Sequence, residues 1–373
     1  MITLESQTDQ MLDSHGVDAI VGYTRATIHH LTGVDFPVTG WGAEERTWVL
    51  WTPRHRVLLA PGWADPYAYD SVRTGIEVQF FHHPVWATDA LIALLKELQL
   101  DSAAIGIESE MLPMAVADAV REQLPRVRLV GMDHALSHNR AAKAPHEVEK
   151  MRLASRALEL GVIDAVAESR VGMTEREFAH LLCAHVVANG ADTISWLALR
   201  WGDDAQRMAF RDTPIRPGEL INVEMGCTVD GYFADLQRMI AATPMSAEIT
   251  DAYRLLEATN RRTMLGIKPG MSTLDVYEMY VANMAETSME DWAAYFLGHA
   301  IGLHAHEDHL LWAQSKPTEI VPDDSFYALE PAITAPVLLA VEDTVHVSSK
   351  GNDIISSHGN WAELVVLGQR VSI

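Results

Sequence analysis

Cysteine is almost absent from this chain. Cys183 and Cys227 are the two in 373 residues, far apart and each in an apolar context. They read as buried thiols, and a disulfide-stapled scaffold is excluded. Long apolar runs are missing too, and mean hydropathy is +0.01, so no stretch reaches the length that crosses a bilayer. The opening residues, MITLESQTDQ, have neither the basic start nor the apolar stretch of a secretory leader. A cytoplasmic protein without a membrane partner is expected. Positive charge is scarce, with 28 Lys and Arg against 51 Asp and Glu and a net charge of −23. Such a surface repels phosphate backbones, so no nucleic-acid partner is expected either.

What remains is ample for two cores, since 48% of the residues are hydrophobic. The first stretch alternates helical and strand patterns. MLDSHGVDAIVGYT reads as helix, glycine turn and buried strand; TWVLWTP and RVLLAPG as paired strands; DALIALLKELQL as a helix; AAIGIES as a strand; MAVADAVREQL as a helix; and VRLVGMD as a last strand. The polar stretch His138–Pro145 is the best break. The expectation is an α/β (α+β) fold with domains at 1–138 and 139–373.

The second domain carries a weak internal duplication. A helix over roughly 146–169 leads into RVGMTEREF, and another over roughly 250–267 leads into KPGMSTLDV. Gly172-Met173-Thr174 and Gly270-Met271-Ser272 lie 98 residues apart, and each is followed by an acid placed for a capping box, Glu177 and Asp275. After each helix pair comes a candidate hairpin. In ELINVEMGCTVDGYFADLQRMI, Asp230-Gly231 is a two-residue turn signal. That turn sets Glu224 opposite Gln237 and Asp235 opposite Gly226, so the two acids become diagonal neighbours on one face. Folding FYALEPAITAPVLLAVEDTVHVSS about Ala335-Pro336 brings Glu330 near Glu342. Glu330 follows Glu224 by 106 residues, close to the offset of the helix starts. Two such units about a pseudo-twofold axis would aim four acids at one spot.

Four ionised carboxylates cannot share a partly buried pocket without compensation. Divalent cations remove the problem, and hard oxygen ligands with one imidazole suit Mn, Fe, Co or Zn. The stretch GHAIGLHAHEDH, residues 298–309, supplies the imidazole.

With these motifs in order, VEMGCTVDGYFADLQR, GHAIGLHAHED, ALEPAI and VEDTVHV, the chain resembles the pita-bread metallohydrolases. These include methionine aminopeptidase, proline aminopeptidase, prolidase and the metal-free creatinase. GVDAIVGYTRATIHHLTG is similar to the opening segment of the prolidase and creatinase N-terminal domain. The resemblance implies a creatinase/prolidase-like α/β domain followed by a pita-bread domain of duplicated helix–helix–hairpin units. It implies two divalent ions held by Glu224, Asp235, His299, Glu330 and Glu342. Asp235 and Glu342 would bridge them, and Glu330 would also move the proton. His306 would steady the substrate carbonyl. The implied reaction is hydrolysis of an amide or other C–N bond in a dipeptide or other small substrate by metal-activated water. A homodimer is implied as well. His29, His30, His82 and His83 read mostly as structural or surface groups, though one could then reach the neighbour's site; the tryptophans read as core or interface material, and Trp41, Trp48, Trp51 and Trp63 could line the contact.

Two positions depart from the family pattern. Glu224 stands where an aspartate is usual, so one metal site is either retained or loosened. Met208, Ala209 and Phe210 stand where peptidases carry a histidine near the scissile bond. Arg207 and Arg211 could clamp a substrate carboxylate there, or pair with local acids. Arg238 is expected to pair with the acid cluster. Asp343 should face the other side of its strand, and His304 and His309 are read as loop or neighbouring residues. The alternatives to a prolidase-like hydrolase are a lyase or creatinase-like amidinohydrolase in the same pocket, and a catalytically inactive binding module.

Overall fold

The computed structural model of the chain describes residues 3–35, 47–62, 72–82, 85–201, 210–289 and 295–373. It divides into two compact units, Met1–Arg140 and Ala141–Ile373.

In the first unit, α1 (Leu4–His15) is capped by Thr3 and stopped by Gly16, whose φ of 59° is the left-handed turn that glycine permits. The strands β1 (Ala19–Gly22), β2 (Trp48–Trp51), β3 (Arg56–Pro61), β4 (Glu77–Phe81), β5 (Ala104–Ile107) and β6 (Arg128–Gly131) form one sheet, in the order β4-β3-β2-β1-β5-β6. The remaining helices are α2 (Arg25–Thr32), α3 (Ala87–Glu97), α4 (Met114–Gln123) and α5 (Asp133–Asn139). Two open readings narrow here. Trp48 and Trp51 lie in the core at 0% and 1% exposure, because β2 is buried on both faces, so neither is available to a dimer contact. His29 and His30 are likewise buried, in the last turn of α2, which fits a structural role. His82 is exposed, whereas Trp41, Trp63 and His83 lie outside the described residues.

The second unit begins with α6 (Pro145–Glu168), with proline in its first turn and Glu147 reaching back 2.7 Å to the Ala144 amide. Then come α7 (Glu175–Ala188) and three long strands, β7 (Thr193–Trp201), β8 (Leu220–Val229) and β9 (Tyr232–Ala241). A second helix pair follows, α8 (Ala247–Gly266) and α9 (Thr273–Ala285). The chain ends in β10 (Phe296–Ala300), β11 (Glu307–Trp312), β12 (Ser325–Leu329), β13 (Ala332–Ile333), β14 (Leu339–Ala340), β15 (Asp343–Val347), β16 (Asp353–Ile354) and β17 (Val365–Val366). One sheet runs β17-β9-β8-β7 and another β11-β10-β12-β15-β16.

The duplication is visible bond by bond. Thr174 and Ser272 each close a capping box, with Glu177 and Asp275. Gly172 donates to Ile215 O, and Gly270 to Val321 O; Glu175 donates to Thr213 O, and Thr273 to Glu319 O. Each helix pair covers one face of its own strands. Phe178, Leu182 and Val162 pack on Val223, Met225 and Leu236, while Tyr253, Val276 and Tyr280 pack on Tyr327, Leu329 and Val345. Apolar burial of this kind fixes which strand face is left for chemistry. The β8–β9 turn is the Asp230-Gly231 pair, both with positive φ (47° and 81°), as a two-residue hairpin turn requires.

Candidate metal centre

Register decides what meets on the uncovered face. β8 and β9 pair Glu224 with Gln237 and Gly226 with Asp235. β12 and β15 pair Leu329 with Asp343, and β13 and β14 pair Ala332 with Ala340, so the same register continued places Glu330 opposite Glu342. The two sheets join where Glu342 bridges to Gln237, its amide donating to the Gln237 carbonyl at 3.0 Å. His299 enters from β10, which lies between β11 and β12.

Four of the expected residues therefore converge. His299 Nε2 lies 3.6 Å from Asp235 Oδ2, 3.6 Å from Glu330 Oε1 and 3.8 Å from Glu342 Oε1. His299 Nδ1 sits 3.1 Å from the Ala300 carbonyl, which keeps the proton on Nδ1 and leaves Nε2 as a lone pair. Burial, and after it the neighbouring His306, lower the His299 pKa to about 3, so the ring is neutral. Burial raises Asp235 to about 7, with the charge of Glu224 adding to it. Burial, then the charges of Asp235 and Glu224, raise Glu330 to about 8. Glu342 is raised well above its ordinary value by burial and then by Asp235, Glu330 and Glu224.

The donor set fits a cation. His299 Nε2, Asp235 Oδ1 and Glu342 Oε1 are buried with no hydrogen-bond partner, and once ionised the carboxylates and the imidazole lone pair offer only acceptors to one another. Ligand atoms of His299, Glu330 and Glu342 lie within 4.8 Å of one another, as do those of Asp235, His299 and His306. Glu224 stands beside this group, its Oε2 accepting from Gln237 Nε2 at 3.1 Å. His306 stacks on His299 with ring centroids 3.7 Å apart.

Other expected residues settle differently. Arg238 does not pair with the acid cluster. Its Nη2 pairs with Asp343 on the opposite face, and its Nη1 holds the Gln237 and Glu342 carbonyls at 3.0 and 2.6 Å. Strand alternation explains this, because Arg238 follows Gln237 and Asp343 follows Glu342. Arg211 Nε donates to the buried Glu175 at 3.1 Å, which is the local ion pair. Phe210 packs against the helix-covered core, while Arg207, Met208 and Ala209 lie outside the described residues. His309 is no loop residue; it is buried in β11, although its φ is 76°.

Sequence pattern did not single out Trp196 or Lys143 as contributors. Trp196 fills the space above Gly226, where an added Cβ would meet its ring at 2.3 Å, and it stacks near Phe233 at 6.2 Å. The alternation of TISWLALRW is the signal that could have placed it on the acid-bearing face. Lys143 and Glu307 form a buried ion pair at 3.0 Å, and Glu307 also accepts from the Leu303 amide. That pair holds the turn that presents His306.

Comparison with known proteins gives two family matches and a set of relatives. Residues 149–349 match the model of metallopeptidase family M24, and residues 6–142 match that of the creatinase/prolidase N-terminal domain. The chain is 21% identical over 352 residues to the Xaa-Pro dipeptidase of Pyrococcus horikoshii, covering 92% of this chain and 93% of that one. It is 26% identical over 269 residues to a probable dipeptidase, PepE, of Mycobacterium bovis, covering 68% and 70%. Among solved structures, the Xaa-Pro dipeptidase from Bacillus anthracis shares the fold with a TM-score of 0.83 at 20% identity, over 98% of this chain and 99% of that one.

Proposed function

The chain belongs to metallopeptidase family M24 and is a metallohydrolase, and from that premise we propose that it cleaves the Xaa-Pro bond of dipeptides. The hydrolase reading stands over the lyase, the amidinohydrolase and the inactive module. The observation that carries the proposal is the buried, partnerless Nε2 of His299 among three carboxylates. Two divalent ions, from among Mn, Fe, Co and Zn, would be held by Asp235, His299, Glu330 and Glu342, with Glu224 at the edge. When bound, they supply the charge that makes water acidic and polarises an amide carbonyl.

The protein's own groups divide the remaining work. Asp235 and Glu342, buried at 4% and 1% exposure, are anchors. Glu330 has a side chain 23% exposed, so of the three carboxylates around His299 it is the one that can take a proton from water and pass it to the leaving nitrogen. His306, exposed above His299, can donate to the substrate oxygen.

The reading includes a cytoplasmic homodimer. Phe80, Val85 and Trp86 support it, since they are 44%, 47% and 52% exposed at the β4 edge and the start of α3. No described helix is long and apolar enough to cross a membrane.

The test is a panel of Xaa-Pro and non-proline dipeptides offered to stripped protein after each of the four ions is restored. Proline-dependent cleavage with at least one ion is expected. If none of the four restores Xaa-Pro hydrolysis, the substrate assignment is wrong.

A further inference from the structure

Asp235 and Glu342 both reach His299, but they come from different sheets, one from β9 and the other from the residue before β15. Among the described residues, one isolated backbone bridge, Gln237 with Glu342, links those two strands. A single bridge is a slender joint for two buried like charges held at a fixed gap.

The rest of the joint is made from behind. On the face of β9 turned from the acids, Leu236, Arg238 and Ile240 form a row against the helix-covered core, apolar but for one charge. Arg238 is 1% exposed. Its Nη1 donates to the Gln237 carbonyl at 3.0 Å and to the Glu342 carbonyl at 2.6 Å, one in each sheet. Its Nη2 donates to Asp343 and, at 3.2 Å, to the Ser356 carbonyl. One guanidinium therefore ties β9, the start of β15 and the segment after β16.

Arg238 is itself held. It lies 5.0 Å over the centre of the Trp361 ring, and Trp361 Nε1 donates to Glu159 of α6 at 2.9 Å. Glu159, 0% exposed, also accepts from the His358 and Gly359 amides at 2.9 and 2.8 Å. On its other side Arg238 borders a cavity of about 300 Å³, lined also by Glu257, Arg261 and Met264. A side chain beside open space is not there to fill volume. What it supplies is a rigid, charged fork of donors.

We propose that Arg238 is a positioning residue for the metal centre: by clasping the Gln237 and Glu342 carbonyls it sets the gap between Asp235 and Glu342, and with it the ability to hold two cations side by side. It acts through the backbone, since its side chain points away from the acids. The assignment rests on the metal reading and adds the source of the spacing.

The experiment compares full-length wild type with Arg238→Lys, with Arg238→Gln combined with Asp343→Asn, and with Leu182→Ala. The lysine keeps the charge against Asp343 without the fork, and the double variant leaves no buried charge unpaired. Leu182→Ala truncates the core on α7 and serves as a control for lost stability alone. Readouts are calorimetric Mn²⁺ binding, the paramagnetic resonance signal of the loaded protein, and kcat and KM on alanyl-proline. Wild type should take up two ions and give a spin-coupled signal. Arg238→Lys should bind the second ion about tenfold more weakly and the double variant about a hundredfold, each with an uncoupled signal. In both, kcat should fall at saturating Mn²⁺ with KM little changed. Leu182→Ala should melt lower yet keep wild-type affinity and coupling. Wild-type coupling in either Arg238 variant would overturn the assignment and leave the metal reading intact. Coupling lost equally in Leu182→Ala would also overturn it, by reducing Arg238 to a general stabiliser. Wild type that binds no Mn²⁺ would remove the metal reading and this assignment together.

Discussion

Asp235 answers to two opposed requirements. In the ligand role proposed for it, it must be ionised, yet burial and the charge of Glu224 raise its pKa to about 7. In the metal-free protein its charge is a burden shared with Glu330 and Glu342. Asp235→Asn should therefore stabilise the metal-free protein at pH 8, by about 2 kcal/mol on the scale of pKa shifts. The same change should remove the added stability that metal confers on wild type. Denaturant unfolding with and without Mn²⁺ measures both effects. A variant less stable than wild type in chelator would contradict the account of the site as electrostatically frustrated. At this scale the sequence is informative wherever strand alternation rules. It puts Asp343 on the far face, but it does not identify Arg238 as that residue's partner, because both arginine and acid lie on the hidden side of their strands.

β10 is the element on which the histidine depends, and its tolerance is narrow. Gly298 lies so close to β12 that an added Cβ would come within 2.0 Å of the Ala328 carbonyl oxygen. Neighbouring bonds tie the same two strands to the site, since Glu330 donates to Leu297 O at 2.8 Å. Gly298→Ala should force β10 and β12 apart and move His299 and Glu330 together. The expected cost is about 1–3 kcal/mol, with metal content falling below half of wild type. Urea unfolding and elemental analysis of the purified variant check the two effects, and wild-type values for both would refute the close-packing argument. The helix starts and the β8–β9 turn are legible in the sequence because each is set by a few adjacent residues, Thr174 with Glu177 and Asp230 with Gly231. β11 is not, since its pairing with β10 runs through irregular register around His309, which local pattern does not encode. The tryptophans of β2 mislead for a related reason: an apolar run reads alike in a core and at an interface.

For the whole molecule, the duplicated units of residues 141–373 would make a bound cation part of the fold's energetics. Each unit can bury its helices on its own strands, but joining the sheets at Gln237 and Glu342 brings like charges together. The pH dependence of stability follows from the raised pKa values. Asp235 and Glu330 have folded values of about 7 and 8 against ordinary values of 3.8 and 4.5. Between those limits the folded chain holds protons that the unfolded chain has lost, so unfolding releases protons and stability falls as pH rises. Below about pH 4 both states are protonated and this penalty is absent; above about pH 8 it is complete. A saturating divalent ion inverts the trend, because ligand deprotonation then favours binding, and binding favours the folded state. Calorimetric melting from pH 5 to pH 8 should thus give two diverging curves, Tm falling with pH in chelator and rising or level in Mn²⁺. Parallel curves would mean that the carboxylates are not the metal's ligands in the folded protein, and that the joined sheets tolerate their charge by some other means.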